Sequence, residues 1–544
     1  MTQISRKRKR ALTIAILLIF TLAIFATGAY AATPTRVFVQ YHPGNQAAVH
    51  AELFRLGAKI HYHFADLDAF AVSLPNVSLQ GLQRSPFVAA IEADPIRNPI
   101  RSLRTSQSAF QEESDTQVVP YGVDMVQARQ IWDANLDGKI DKRAPTGEGR
   151  TICIIDTGLF DQHEDLASVN VTGGYSQTNP DPDQWDFDGY GHGTHVAGTI
   201  TAALNELGVV GVTPGTVSLY IIKIFDDNGE WVAEAHASDL IDAAYRCADN
   251  GANIISMSLG GSSHSLKEQK AFDNLYAAGV LSIAAAGNAG NDHESFPASY
   301  DSVISVAALD ANLQVADFSQ FNPQVEIAAP GVAVLSTIPY LSINDLSVDG
   351  EIISGYHITN SPYGNASGPL VDGGRCLSTG NWTDAIVLCE RGDADFYDKV
   401  MNVQNSGGLA AIIYNNEPGI FLGTLGDKNS SIIPAVSISQ EDGLRLVAEK
   451  LGKWAELTTS IQWNVSGYEA WDGTSMATPH VSAVAALIWS WNPTLSNQQI
   501  REALQATALD LGDLGRDVYY GYGLVQAYDA WLYLGGGKPG KPPK

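Results

Sequence analysis

The sequence predicts an α/β protein built on a parallel sheet, with a ferredoxin-like α+β unit before it and a β-rich segment set into it. Three observations carry that expectation. Between residues 151 and 330 short apolar strands alternate with helical stretches, which is how a parallel sheet covered on both faces reads. Residues 33–98 alternate strand and helix in the manner of a split βαβ arrangement. After Gly331 a long segment of different texture intervenes before a small, apolar, helix-forming run starts at Val481.

The chain opens with the basic run Arg6 to Arg10, the apolar stretch Ala11 to Ala26 and the small-residue end Ala29-Tyr30-Ala31, so residues 1–31 read as a secretory signal peptide. The stretch is also long enough for an uncleaved anchor, which would be the chain's only tie to a membrane, because nothing later approaches a spanning length. Removing residues 1–31 leaves 28 basic against 59 acidic side chains, a net charge of −31. That excess argues against nucleic acid and anionic lipid as partners and favours a soluble, secreted, extracellular protein, expected as a monomer.

Within 33–98, Val37 to Tyr41 reads as a strand, Gln46 to Leu56 as an amphipathic helix, Ala69 to Leu74 as a strand, Val77 to Gln83 as a short helix and Val88 to Asp94 as a strand; one more strand fits near Lys59 to Phe64. Residues 99–116 are polar without apolar periodicity and read as a linker. From 117 to 344, strands are expected at 151–156, 217–225, 254–258, 280–286 and 303–306, with helices over 193–203, 238–249 and 265–278. Residues 466–534 complete that domain, and 535–544, rich in Gly, Pro and Lys, read as a flexible tail.

Asp133, Asn135, Asp137, Lys139 and Asp141 stand at alternate positions around Gly138, a pattern suited to wrapping a hard cation, calcium above all. Ala144 stands where the last acid of that pattern belongs, so an ordinary acidic turn also fits. Four cysteines allow three pairings. Cys376 and Cys389 form the expected local pair, whereas Cys153 and Cys247 lie on apolar core elements and read as thiols that can stay reduced. The remaining histidines show no metal-ligand spacing; His195 reads as a packing residue.

Three motifs carry chemistry. Asp156 closes the apolar run Thr151 to Ile155, at the carboxyl end of a buried strand. His192 lies in the glycine-rich helix entry Gly191-His-Gly-Thr-His-Val-Ala-Gly198. Ser475 lies in Asp472-Gly-Thr-Ser-Met-Ala-Thr-Pro-His480, at the start of the apolar helix, where free backbone N–H groups favour developing negative charge. A hydroxyl is a poor nucleophile until a histidine takes its proton, and the histidine needs a carboxylate to fix its tautomer.

These motifs, in the order Asp, His, Ser, resemble those of the subtilisin-like serine proteases. The resemblance implies Asp156 as orienting acid, His192 as general base, Ser475 as nucleophile, and Asn288, in Ala284-Ala-Ala-Gly-Asn288, as an oxyanion donor. It further implies that Ser258, Leu259 and Gly260 pair with the substrate backbone, that Ala285 and Gly287 belong to a pocket wall, and that Asp165 is a calcium ligand; the loop 204–209 opposite it is a residue short of the family's usual pattern. Residues 33–98 resemble the family's inhibitory propeptide, an intramolecular inhibitor to be cut away near Gln117; a permanent N-terminal domain is the alternative. Residues 345–465 resemble a protease-associated domain, either engaging substrate or acting as a spacer. The implied function is a secreted, self-processed serine endopeptidase acting on proteins and peptides, against the rival of a catalytically silent peptide-binding protein.

Overall fold

The computed structural model describes residues 34–537 apart from 101–102, 105–116, 179–181, 183, 226–234, 340, 359–360, 418, 420, 422, 424, 427–428 and 463–466. The expected signal segment, most of the linker and residues 538–544 of the tail lie outside the described residues. Among the described residues no helix is long and apolar enough to cross a membrane.

The chain divides into two compact units, residues 1–94 and 95–544. In the first, four antiparallel strands run in the order Lys59–Phe64, Ala69–Leu74, Thr35–Tyr41, Val88–Ala93, with helices Gln46–Arg55 and Asn76–Leu82. Val49 and Leu53, one helical turn apart, bury against Val37, Val39, Phe70 and Val72, which alternate on one sheet face.

The second unit is built on seven parallel strands. From edge to edge they are Val325–Pro330, Val303–Leu309, Leu281–Ala285, Ile254–Met257, Thr151–Asp156, Ser218–Lys223 and Val171–Ser176. The chain leaves Thr151–Asp156 for one flank and later returns to the other, so the carboxyl ends of Thr151–Asp156 and Ile254–Met257 frame a topological switch point, where α/β sheets bind ligands. Ile152, Ile154 and Ile155 are fully buried, as a strand covered on both faces requires.

The helix Thr474–Trp491 packs on this sheet and is buried from Thr474 through Trp489. Pro479 is its sixth residue, one turn deeper than the first-turn position where proline is neutral, and its missing N–H would strand the carbonyl of Ser475. The Ser258 hydroxyl donates to that carbonyl at 2.8 Å and fills the gap.

Between Leu341 and Gln462 the chain forms an eight-stranded mixed sheet with apolar clusters on both faces and helices Phe396–Asn405 and Gln440–Glu449. It enters and leaves through one antiparallel pair, Val334–Thr337 with Tyr468–Asp472, closed by the Ile338 N–H on the Gly467 carbonyl at 2.8 Å. Cys376 is bonded to Cys389 in this sheet. The expectation of reduced core thiols at Cys153 and Cys247 is corrected: they form a second disulfide, joining the strand Thr151–Asp156 to the helix Ala237–Asp249. Apolar surroundings hide a thiol and a buried disulfide equally well, so burial did not distinguish them.

Candidate active site

Asp156 ends its strand and accepts a hydrogen bond from the backbone N–H of Thr157 at 2.8 Å. Its Oδ1 lies 2.7 Å from His192 Nδ1, with both side chains 1% exposed. Burial alone would lower the imidazole pKa. The charge and hydrogen bond of Asp156, with Asp188 beyond, outweigh it and hold His192 above its ordinary value.

His192 opens the helix His192–Thr201. Two features not expected from the sequence fix that opening. A Cβ on Gly193 would sit 2.1 Å from the Gly158 carbonyl, so only glycine lets the helix come this close to the turn after Asp156. Asp188, itself buried, accepts from the N–H groups of Gly191 and Thr194 and the hydroxyls of Thr157 and Thr194, tying the helix start to the residue after Asp156. An acidic residue just ahead of a glycine-rich helix entry is the signal that points to it.

Ser475 sits in the first turn of its helix, fully buried. Its hydroxyl donates to the carbonyls of Ile100 at 3.0 Å and Ser258 at 3.3 Å. His192 Nε2 has no hydrogen-bond partner among the described residues. Asn288 Oδ1 accepts from the Thr474 N–H and hydroxyl at 2.9 and 2.7 Å, which orients the amide beside the serine. Neither second histidine competes as a base. His195 stacks on Trp471 at 4.7 Å and burial pushes it down to about 3, while burial pushes His480 down to about 4.

The end of the unit read as 33–98, with the first residues of the expected linker, occupies the cleft. Ile96–Pro99 forms a strand between Leu259–Gly260 and Ala235–His236, antiparallel to both. Asn98 faces Gly260, Pro99 faces Leu259, and the Ile100 N–H donates to the Ser258 carbonyl at 3.2 Å. Ile100 lines a cavity of about 430 Å³ with Gly287, Asn288, Ser295 and Gln320; Ala285 is buried in its strand and does not line it. Beyond the serine, Leu103–Arg104 pairs antiparallel with Trp471–Asp472.

The two expected calcium loops differ. In 133–141 the oxygen-bearing side chains accept from the loop's own backbone: Asp133 from Asp137 and Gly138, Asn135 from Asp137, Asp137 from Lys139, and Asp141 from Ala134. These bonds shape the loop, and Lys139 contributes its backbone N–H to them. Among the described residues no three His, Cys, Asp or Glu side chains converge as a metal cluster. Asp165 is fully buried and, despite the short loop opposite, accepts from Asn205 Nδ2 and the Val209 N–H. Beside it the Gln117 amide faces three oxygens, the carbonyls of Ala203 and Val209 and Asn205 Oδ1, at 2.7, 2.8 and 3.1 Å, while Gln117 Oε1 is buried without a partner among the described residues. An orphaned amide oxygen next to converging carbonyls fits a hard cation.

A serine at a helix start, with a paired histidine and aspartate at the switch point of a parallel sheet, defines a serine-hydrolase type of site. The profile of the subtilase family matches residues 147–368 and 429–523, and that of the PA domain matches 366–446. Subtilisin DY of Bacillus licheniformis is 39% identical over 246 residues, 44% of this chain and 83% of that protein. Subtilisin amylosacchariticus of Bacillus subtilis subsp. amylosacchariticus is 27% identical over 542 residues, 97% of this chain and 99% of that protein. Fervidolysin from Fervidobacterium pennivorans, a keratinolytic enzyme related to subtilisin, shares the fold with a TM-score of 0.58 at 22% identity, over 93% of this chain and 62% of that one. The chain belongs to the subtilase family: it is a subtilisin-like serine peptidase that carries a PA domain within its catalytic fold.

Proposed function

We infer that this chain is a secreted endopeptidase that first cuts itself between Ile100 and Arg101. The observation that carries the reading is the Ile100 carbonyl, 3.0 Å from the Ser475 hydroxyl at the end of a strand laid along Ser258 to Gly260. In this reading Ser475 Oγ turns toward His192 Nε2, gives up its proton there and attacks the carbonyl carbon; His192 then passes the proton to the leaving amine, and water releases the acyl group by the same two proton transfers. Asp156 holds the imidazole in the tautomer that presents Nε2. Asn288 and the Ser475 N–H stabilise the oxyanion. Residues 33–100 act as prosegment and inhibitor, because their last residues fill the cleft that a protein substrate would use. The strand pairing on both sides of the bond favours extended polypeptide substrates, by main-chain hydrogen bonds that carry no sequence preference of their own.

The test is direct. Purified exported protein should hydrolyse casein and take up a fluorophosphonate on the peptide that contains Ser475. An active protein labelled elsewhere, or one that neither cuts nor labels, sinks the reading. Asn288→Ala should lower kcat by about 10²–10³ with KM little changed, a magnitude taken from subtilisin itself rather than from this chain.

Calcium belongs to the same reading as a structural ion. Gln117, Asp165, Asn205 and the carbonyls of Ala203 and Val209 are the residues that would hold it, tying the chain after the linker to the loop 203–209. Chelation is then expected to lower Tm by about 3 °C, the effect on a unit of this size of removing a ligand held at roughly a hundred times its Kd. Scanning calorimetry with and without chelator checks this; an unchanged Tm removes calcium from the account.

A further inference from the structure

Arg97 lies three residues before Ile100, hence fourth from the proposed scissile bond, and it is fully buried in a site made for a guanidinium. Its Nε donates to Glu268 Oε1 at 2.9 Å and its Nη2 to Glu268 Oε2 at 2.5 Å, a two-point fork with both side chains at 0% exposure. Nη2 also donates to the Ser263 carbonyl at 3.0 Å, and Nη1 to the carbonyl of Ile96 at 2.9 Å. The Tyr300 hydroxyl lies 2.7 Å from Glu268 Oε2 and receives the Ser265 N–H at 3.1 Å, so the carboxylate is fixed from behind. A Cβ on Gly261 would fall 2.4 Å from the Ile96 carbonyl and 2.9 Å from Arg97 Nη1, so glycine is what leaves room for the fork.

We propose that Glu268, with Tyr300, Ser263 and Gly261, is a specificity site that selects arginine four residues before the cleaved bond in this enzyme's substrates. The inference rests on reading residues 96–100 as bound in substrate fashion. Glu268 belongs to the helix Leu266–Ala277 and Tyr300 and Gly261 to the catalytic unit, so the pocket remains when residues up to 100 depart. A buried carboxylate without a counter-charge is costly, which makes the site discriminate rather than merely tolerate: an apolar side chain would leave Glu268 desolvated and unpaired. Lysine would restore the charge but not the planar two-point contact or the bond to Ser263.

The test uses enzyme matured from the full chain and internally quenched peptides spanning Ile96 to Arg104, with Arg, Lys, Leu or Ala at the position of Arg97. The Arg peptide should exceed the Leu and Ala peptides by about 100-fold in kcat/KM, with Lys between them. In Glu268→Gln the Arg-to-Leu ratio should fall to a few-fold, a readout that a general loss of folding would not move. Should that variant fail to fold, the wild-type peptide series decides alone. Enzyme that digests casein but cuts the Leu peptide as well as the Arg peptide overturns the specificity site and leaves the protease reading intact. Enzyme that cuts neither peptides nor casein overturns the protease reading, and the specificity site falls with it.

Discussion

A Ser475→Ala precursor is expected to leave an exporting host still joined to residues 33–100, whereas the wild type should lose them. In the proposed reading the carbonyl to be cut is that of Ile100, which already sits 3.0 Å from the Ser475 hydroxyl, so processing would need no encounter and no rearrangement of the sheet. Removing it should slow cleavage by about 10⁶, a magnitude established for subtilisin, a member of this family. Intact mass of the two secreted products reads the result. The wild type should begin at Arg101, or later if trimming follows toward Gln117. Loss of residues 33–100 from both forms alike would mean that another protease does the cutting; their retention in both would mean that the cleft geometry is not productive.

The second large effect concerns the proton. His192 must be neutral to accept it, so kcat/KM should fall as pH drops through the imidazole pKa. Burial opposes the charged ring, but Asp156 and Asp188 outweigh it, so the acid limb should lie above the usual imidazole value of about 6.5. Asp156→Asn should lower kcat by about 10⁴ and move that limb to lower pH, because the tautomer and the stabilising charge are lost together. A wild-type limb below the ordinary value, or a variant limb that does not move, would count against Asp156 acting through His192.

Local signals made much of this legible. The parallel sheet announced itself because each strand is an apolar run, and the acid, base and nucleophile candidates each stand where such a run ends or a small-residue helix begins. What escaped the sequence was partnership at a distance. Nothing near Arg97 hints that Glu268 awaits it 171 residues on, so the end of the N-terminal unit gave no sign that it seats in the catalytic domain. Nothing near Pro479 shows that a hydroxyl from Ser258 will meet the carbonyl it orphans. Cys153 and Cys247 are 94 residues apart, and only the seating of one helix against one strand brings them together. At 133–141 the pattern of alternate oxygens was legible, and the structure adds only that those oxygens also accept from the loop's own backbone N–H groups.

The way the PA-bearing segment joins the sheet has a consequence for engineering. Its two ends meet across a single hydrogen-bonded pair, Ile338 with Gly467, at the mouth of a hairpin whose second strand runs into the nucleophile's helix. Topologically the whole module is an overgrown hairpin loop. Loop-closure entropy rises only logarithmically with loop length, so replacing residues 339–466 by a tight turn would favour the hairpin by about 3 kcal/mol in a flexible-loop estimate. The geometric requirement on anything inserted at this mouth is therefore simple: its two termini must lie a strand spacing apart.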